Sequence, residues 1–409
     1  MILSLRACLH GAGQFTLAAV LLWASPVQAQ QPEPDAAATM RWGPLSMRST
    51  LALNNIGVDS NVFNRPSDTR LPGDFTLVFQ PTTNMWLRMG RTWFDGILQV
   101  DWVYFNRYAS ERGTNSRYRL GVQRTFNRLS LNGNVQRNSE RERPNFEIDL
   151  RSQRFDKVFN GEVGYRAFGK TWLGAKASHR TSTYDKDAFF LGTQLAVELD
   201  RRVISQSMVF RHELTPLTTV AVEIGSEKDR FFSTIRNADS TRLLSTVTLQ
   251  PSALISGTAT VGYRHFVPSN QDVPPFRGLT ALVNLSYRLL GTTRLGVGIQ
   301  RDVQHSFDAK QPYYLQTGVN WSLQQQVYGP FDVLARTGST AMAYRDRLGA
   351  IVQVSNRVDR VRSVGGGAGY RLGDDKRVGF TIDHAKRTSS ISQREYSGLR
   401  YGVSITYER

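Results

Sequence analysis

The chain has 409 residues, with 51 Lys and Arg against 34 Asp and Glu, a formal charge of +17, and a single cysteine. One cysteine excludes an internal disulfide framework, and the lack of repeated apolar runs of about 20 residues excludes a polytopic helical membrane protein. With 21 Phe, 15 Tyr and 7 Trp available for burial, disorder is also excluded. The basic excess first suggests nucleic acid as a partner, a reading the N-terminus argues against.

Residues 1–29 read as a signal peptide. Arg6 supplies the positive region, Phe15 to Ala24 form an apolar run of ten, and Val27 and Ala29 occupy the small-residue positions of a cleavage site. Cys8 lies in the removed part. A chain sent out of the cytoplasm has no nucleic-acid partner to meet, so its charge serves something else. Residues 30–40, rich in Gln, Pro and Ala, read as a flexible leader, and 41–409 as one domain.

That domain alternates with period two. Phe75, Leu77, Phe79, Met85, Leu87 and Met89 share one parity; Phe94, Leu98, Val100, Trp102 and Tyr104 share the next, opposite Asp95, Gln99 and Asp101. The pattern continues through Tyr118, Leu120 and Val122, then Leu129, Leu131 and Val135, then Leu191, Leu195, Val197 and Leu199, and then Val220, Val222 and Ile224. It resumes through Leu279 to Tyr287, Leu295 to Ile299, Tyr313 to Leu323 and Val378 to Ile382, and ends at Leu399, Tyr401, Val403, Ile405 and Tyr407. Such spacing puts an apolar face and a polar face on a strand. No segment after Met40 reads as a helix. The stretch Phe189 to His212 reads either as one long strand or as two short ones around Asp200.

Short links such as Gly90-Arg91, Asn127-Arg128 and Gly291-Thr292 alternate with long polar ones: 54–73, 109–116, 138–153, 227–241 and 267–277. Related corners recur at Tyr165 to Gly174, Tyr287 to Gly296 and Tyr370 to Gly379. This is the rhythm of a meander whose rims face different compartments. A soluble β-sandwich would alternate too, but strands near 15 residues exceed the usual 5–6. The aromatics Trp42, Trp93, Tyr104, Tyr108, Tyr118, Tyr165, Trp172, Tyr287, Tyr313, Tyr370 and Tyr407 fall near strand ends, as interfacial girdles do. The fold expected is all-β, a transmembrane antiparallel up-and-down barrel of about 18 strands, with 16 left open.

The last strand, with Tyr401, Gly402, Ile405 and Tyr407, resembles the assembly signal read by the barrel-assembly machinery, although Glu408 and Arg409 follow its aromatic. More broadly, Asp59-Ser60-Asn61-Val62-Phe63, Leu214-Thr215-Pro216-Leu217-Thr218-Thr219 and Gly366-Gly367-Ala368-Gly369-Tyr370-Arg371-Leu372-Gly373 resemble a family of bacterial outer-membrane β-barrel porins. So does the region from Arg387-Thr388-Ser389 to Arg400. The family is often associated with exopolysaccharide or capsule gene clusters. The resemblance implies an outer-membrane location and, as its most specific function, export of a secreted polysaccharide.

Enzymatic motifs are not found. His179, His212, His265, His305 and His384 lack metal-ligand spacing, no serine sits in Gly-x-Ser-x-Gly, and Gly365 to Gly369 is not followed by a helix that would make it a phosphate loop. The chain is expected to be no enzyme and to need no cofactor or metal. If apolar residues face lipid, Arg48, Arg88, Asp95, Asp101, Arg107, Arg117, Arg119, Arg166, Lys176, Arg288, Arg294, Asp383 and Arg400 face the lumen. Most are basic, as in the lining of anion-selective pores; equally, Arg–Asp pairs could simply brace the wall. Trp86, Trp93 and Tyr314 share this parity and would suit sugar rings. The expected function is a pore for polar molecules, anionic ones in its narrower form, with outer-membrane lipid and lipopolysaccharide as partners. The alternative is a structural or adhesive barrel.

Overall fold

The computed structural model describes residues 33–66, 72–373 and 375–408, so the expected signal peptide lies outside the described residues. Eighteen long strands run in order: β1 (Leu45–Asp59), β2 (Asp74–Met89), β3 (Thr92–Phe105), β4 (Gly113–Thr125), β5 (Leu129–Glu142), β6 (Ser152–Phe168), β7 (Thr171–Tyr184), β8 (Arg201–Thr215) and β9 (Thr218–Phe231). They continue as β10 (Ala238–Leu249), β11 (Ile255–Pro268), β12 (Phe276–Leu289), β13 (Thr293–His305), β14 (Tyr313–Tyr328), β15 (Phe331–Arg345), β16 (Val358–Leu372), β17 (Lys376–Thr388) and β18 (Tyr396–Glu408). Each pairs antiparallel with its chain neighbours, and β18 returns to pair with β1. The sheet is a closed 18-strand barrel without a free edge, which satisfies every strand's backbone groups and makes a lipid setting tolerable. A two-sheet sandwich is excluded by this closure.

Alternation does the structural work. On β18, Tyr401 and Ile405 point outward and are 40% exposed, while Arg400 turns inward to Asp59. Leu120, Met208 and Trp321 are 69%, 70% and 59% exposed on the outer face; only a lipid exterior makes such a surface favourable. At the seam the register shifts between Leu53 and Ile56, where Asn55 takes φ 53°. There Gly57 lies directly opposite Gly402, so close that a Cβ on Gly57 would collide with the Tyr401 and Gly402 backbone.

One rim carries short turns at 90–91, 126–128, 169–170, 216–217, 250–254, 290–292, 329–330 and 373–375; the other carries loops of six residues or more. The recurring Tyr165, Tyr287 and Tyr370 corners all fall on the short-turn rim. Leu290 and Gly291 take φ 51° and 74°, two consecutive left-handed residues within the three-residue link between Leu289 and Thr293. The long links are shorter than the sequence suggested, because β1, β5, β9 and β11 run further toward the loop rim. Loops at 185–200, 306–312 and 346–357 were not anticipated.

The stretch from Phe189 corrects the all-strand reading. Phe189–Phe190 and Thr193–Gln194 form a miniature hairpin, Leu195–Leu199 is one helical turn, and β8 starts only at Arg201. Leu195 and Leu199 are four apart on one helical face and both are buried, a spacing that period two imitates over five residues. Three further single turns are 3₁₀-helical. From the leader, Asp35 is buried and accepts from Ser46 Oγ at 2.7 Å, and Met40–Trp42 folds back on β1.

Candidate functional site

The lumen wall is built by the inward parity. Its charged residues are linked in pairs and chains along the wall. Arg119 pairs with Asp95, and Arg117 reaches Glu140 at 3.2 Å; Glu140 is shared with Arg154, which also holds Asp156 at 2.8 Å. Lys176 and Glu223 meet at 2.7 Å, as do Arg211 and Glu162. Arg264 joins Glu227 and Asp302 at 3.0 and 2.9 Å, and Arg242 adds a 2.7 Å contact to Glu227. Arg400 pairs with Asp59 at 2.7 Å, and Arg48 with Glu408.

The sequence-derived lumen residues distribute as follows. Arg48, Asp95, Arg117, Arg119, Lys176, Asp383 and Arg400 are each half of an ion pair. Asp101 accepts from Gln80 and Gln99 at 2.9 and 3.1 Å. Arg88 and Arg166 lie over the rings of Trp93 and Trp172, at 5.3 and 4.5 Å, so these two tryptophans face inward and do not belong to an outer girdle. Arg107 is two residues past β3, in a loop, with its amide bonded to Asp74. Arg288 and Arg294 stand opposite one another at the short-turn mouth and, with Arg371, Gln324 and Gln326, border a cavity of about 240 Å³. Many acidic partners, among them Glu140, Glu162, Glu223, Glu227 and Asp302, were not singled out from sequence. The wall as a whole is therefore far more balanced in sign than the selected residues implied.

Two bridges skip a strand. Arg336 on β15 donates to Asp383 on β17 (Nε to Oδ1, 2.6 Å) above Gly365 of β16; Arg377 on β17 holds Asp332 on β15 with two bonds of 2.9 and 2.6 Å beside Gly369. A Cβ at Gly365 would strike the Asp383 carboxylate, and one at Gly369 the Arg377 guanidinium. The glycine run makes room for side chains that cross it.

Between β10 and β14 the wall carries Arg242, Arg264 and Asp302 toward the loop rim and changes character nearer the short turns. Thr248, Ser256, Thr258, Asn284, Ser286, Asn320 and Ser322 line a cavity of about 820 Å³ that reaches Arg336 and Asp383. It is a lumen surface of hydroxyls and amides.

At the opposite mouth, loops from several parts of the circumference meet. Glu147 and Ile148, between β5 and β6, are fully buried. Ile148 packs with Ala188, Leu195 and Leu199 of the β7–β8 loop and with Phe307 of the β13–β14 loop. Glu147 accepts from Ser306 Oγ at 2.6 Å and from the Phe307 amide at 3.3 Å, and lies 4.0 Å from Arg357. The Glu147 carbonyl accepts from Arg394, and the Phe146 carbonyl from Arg387 at 3.1 Å. Arg236 donates to the carbonyls of Ser306 and Phe307 at 2.6 and 2.7 Å and pairs with Glu198. Burial raises the Glu147 carboxyl above its usual value and outweighs the pull of Ser306 and the arginines. Burial likewise lowers Arg151 to about 10, with help from Arg143. Tyr314, expected as a sugar platform, is fully buried against Tyr344 at 5.1 Å. None of Glu147, Arg236, Arg387 or Arg394 is a site candidate in the sequence, although Arg387 opens one of the stretches that carry the family resemblance; the apolar Phe146 and Ile148 inside a polar link were the available signal.

The assembly-signal residues lie on β18: Tyr401, Ile405 and Tyr407 outward, and Gly402 inward at the seam. Among the described residues, no group of three or more His, Cys, Asp and Glu could hold a metal.

The family described as Putative beta-barrel porin 2 matches residues 106–409. Among curated proteins none matches. Among solved structures, the outer membrane protein OpdK of Pseudomonas aeruginosa is 10% identical, with 89% of this chain and 99% of that chain covered and a TM-score of 0.47. A BenF-like porin of Pseudomonas fluorescens Pf-5 is 12% identical, covering 90% and 98%, with a TM-score of 0.48. The ferric enterobactin receptor PfeA of Pseudomonas aeruginosa is 11% identical, covering 89% and 81%, with a TM-score of 0.47.

Proposed function

The chain belongs to the Putative beta-barrel porin 2 family, and from that premise we propose that it is an outer-membrane pore for polar solutes whose most specific cargo is a secreted polysaccharide. The observation that carries the reading is a lumen that combines paired charges with a stretch of neutral polar groups. The charges are paired so that passing ions meet little net field, and toward the short-turn end Thr248, Ser256, Asn284, Ser286, Asn320 and Ser322 stand as donors and acceptors. A hydroxylated chain can exchange water for such groups step by step without being held by a deep site. The opposed Arg288 and Arg294 at the short-turn mouth favour cargo that carries anions.

Liposome swelling tests the pore: purified protein should admit neutral oligosaccharides, and impermeable vesicles would refute it. Gene deletion tests the cargo, since released polysaccharide should fall while polymer made inside persists; unchanged release refutes export. A second reading, a structural or adhesive barrel, draws on the interlocked loops around Glu147. It expects impermeable vesicles and lost surface adhesion on loop deletion.

A further inference from the structure

Outward-facing cations occur in directly opposed pairs near the long-loop end of the barrel. Arg137 faces Lys157, Arg202 faces Arg230, and Arg362 on β16 faces Lys386 on β17. Like charges directly opposite are unfavourable in a sheet. At Arg362 and Lys386 nothing on the same face offsets them: the outward residues of β15 to β18 include no Asp or Glu, and Arg360 adds a third cation two residues away. Arg362 lies eight residues above Tyr370, about 20 Å along the barrel axis for a tilted strand. That height is the upper edge of the apolar band formed by Val364, Phe380 and Ile382.

Directly beside this pair the outer surface is grooved. A cavity of about 460 Å³ is floored by the small Thr337 and Ser339 of β15 and walled by Val319 and Trp321 on one side and Val364 on the other, with Arg362, His384 and Lys386 along its far edge. His384 is engaged with Ser397 Oγ at 2.9 Å, which leaves Arg362 and Lys386 as the edge's charges. We propose that this groove binds one phosphorylated lipid of the outer leaflet, its phosphate between Arg362 and Lys386 and an acyl chain along Val319, Trp321 and Val364. Lipopolysaccharide, through its lipid A, has this chemistry. The apolar walls below the cations favour a lipid over free phosphate, and the loop-bearing side of the barrel favours the outer leaflet. The site rests on the outer wall alone and stands whether or not the lumen conducts.

The test titrates detergent-purified full-length protein with bis-phosphorylated lipid A, read by native mass spectrometry and by the thermal midpoint. Arg362→Gln/Lys386→Gln should weaken binding at least about tenfold. Thr337→Phe/Ser339→Phe, which fills the groove but keeps both cations, should weaken it similarly, and inorganic phosphate in large excess should not displace the lipid. Folding of each variant is checked by heat-modifiable gel mobility, with Lys386→Gln and Ser339→Phe alone used if a double variant does not fold. Unchanged binding in the charge variant, wild-type binding in the filled groove, or displacement by inorganic phosphate would each overturn the proposal.

Discussion

Arg336 and Asp383 form a two-bond ion pair although their strands are not neighbours: the pair closes over Gly365, the residue registered between them on β16. The bare backbone of the middle strand is what lets side chains from β15 and β17 meet. The same device recurs where Arg377 reaches Asp332 beside Gly369.

Gly365→Val should therefore drive a methyl into the Asp383 carboxylate and cost about 1–3 kcal/mol, the usual range for overpacking. Urea unfolding in lipid vesicles measures this. In an Asp383→Ala background the same substitution should cost clearly less, and a fully additive double mutant would contradict the crossing geometry.

At the seam, Gly57→Val should impair closure of β1 onto β18, because its side chain would meet the Tyr401 and Gly402 backbone. The expected result is a reduced folded fraction on heat-modifiable gels. Gly43→Ala is the control: a Cβ there meets nothing, although its φ of 56° adds modest strain.

The interlocked loops around Glu147 should respond to pH with a definite sign. Burial raises the Glu147 carboxyl in the docked loop above its solvent-exposed value near 4.5. An acid raised in the docked state binds extra protons there. Its contribution to docking is thus complete below 4.5 and is lost as pH rises through the raised value. Channel current should accordingly be smallest in acid and grow with pH above 4.5. Glu147→Gln, permanently neutral, should flatten that dependence in planar bilayers.

Arg288→Glu/Arg294→Glu should shift the channel toward cations, changing the cation-to-anion permeability ratio by a factor of about two or more. Reversal potential under a salt gradient reads this out. The same change at Lys176, already neutralised by Glu223 at 2.7 Å, should destabilise the wall instead.

The barrel was legible because closure needs only alternation, and residues such as Leu399 to Tyr407 repeat it plainly. Counting such runs gives 18 or 19, and the even strand number of bacterial single-chain barrels selects 18. The helical turn at Leu195–Leu199 was hidden because two residues four apart satisfy both periods. The lumen charges were half legible: parity placed Arg117, Arg119 and Lys176, but Glu140, Asp95 and Glu223 become their partners only through cross-strand register, which no single strand encodes. The loop lock was least legible. Glu147, Arg236 and Arg394 come from links and lie 89 to 247 residues apart in sequence, and nothing local marks them as neighbours.

Single-channel recording of the purified protein in planar bilayers tests the central claim most directly. The pore reading predicts stepwise current at neutral pH, larger after deletion of residues 144–150, which removes Glu147 and Ile148 from the mouth. Absence of current at every voltage in both proteins, each shown to be folded, would contradict it.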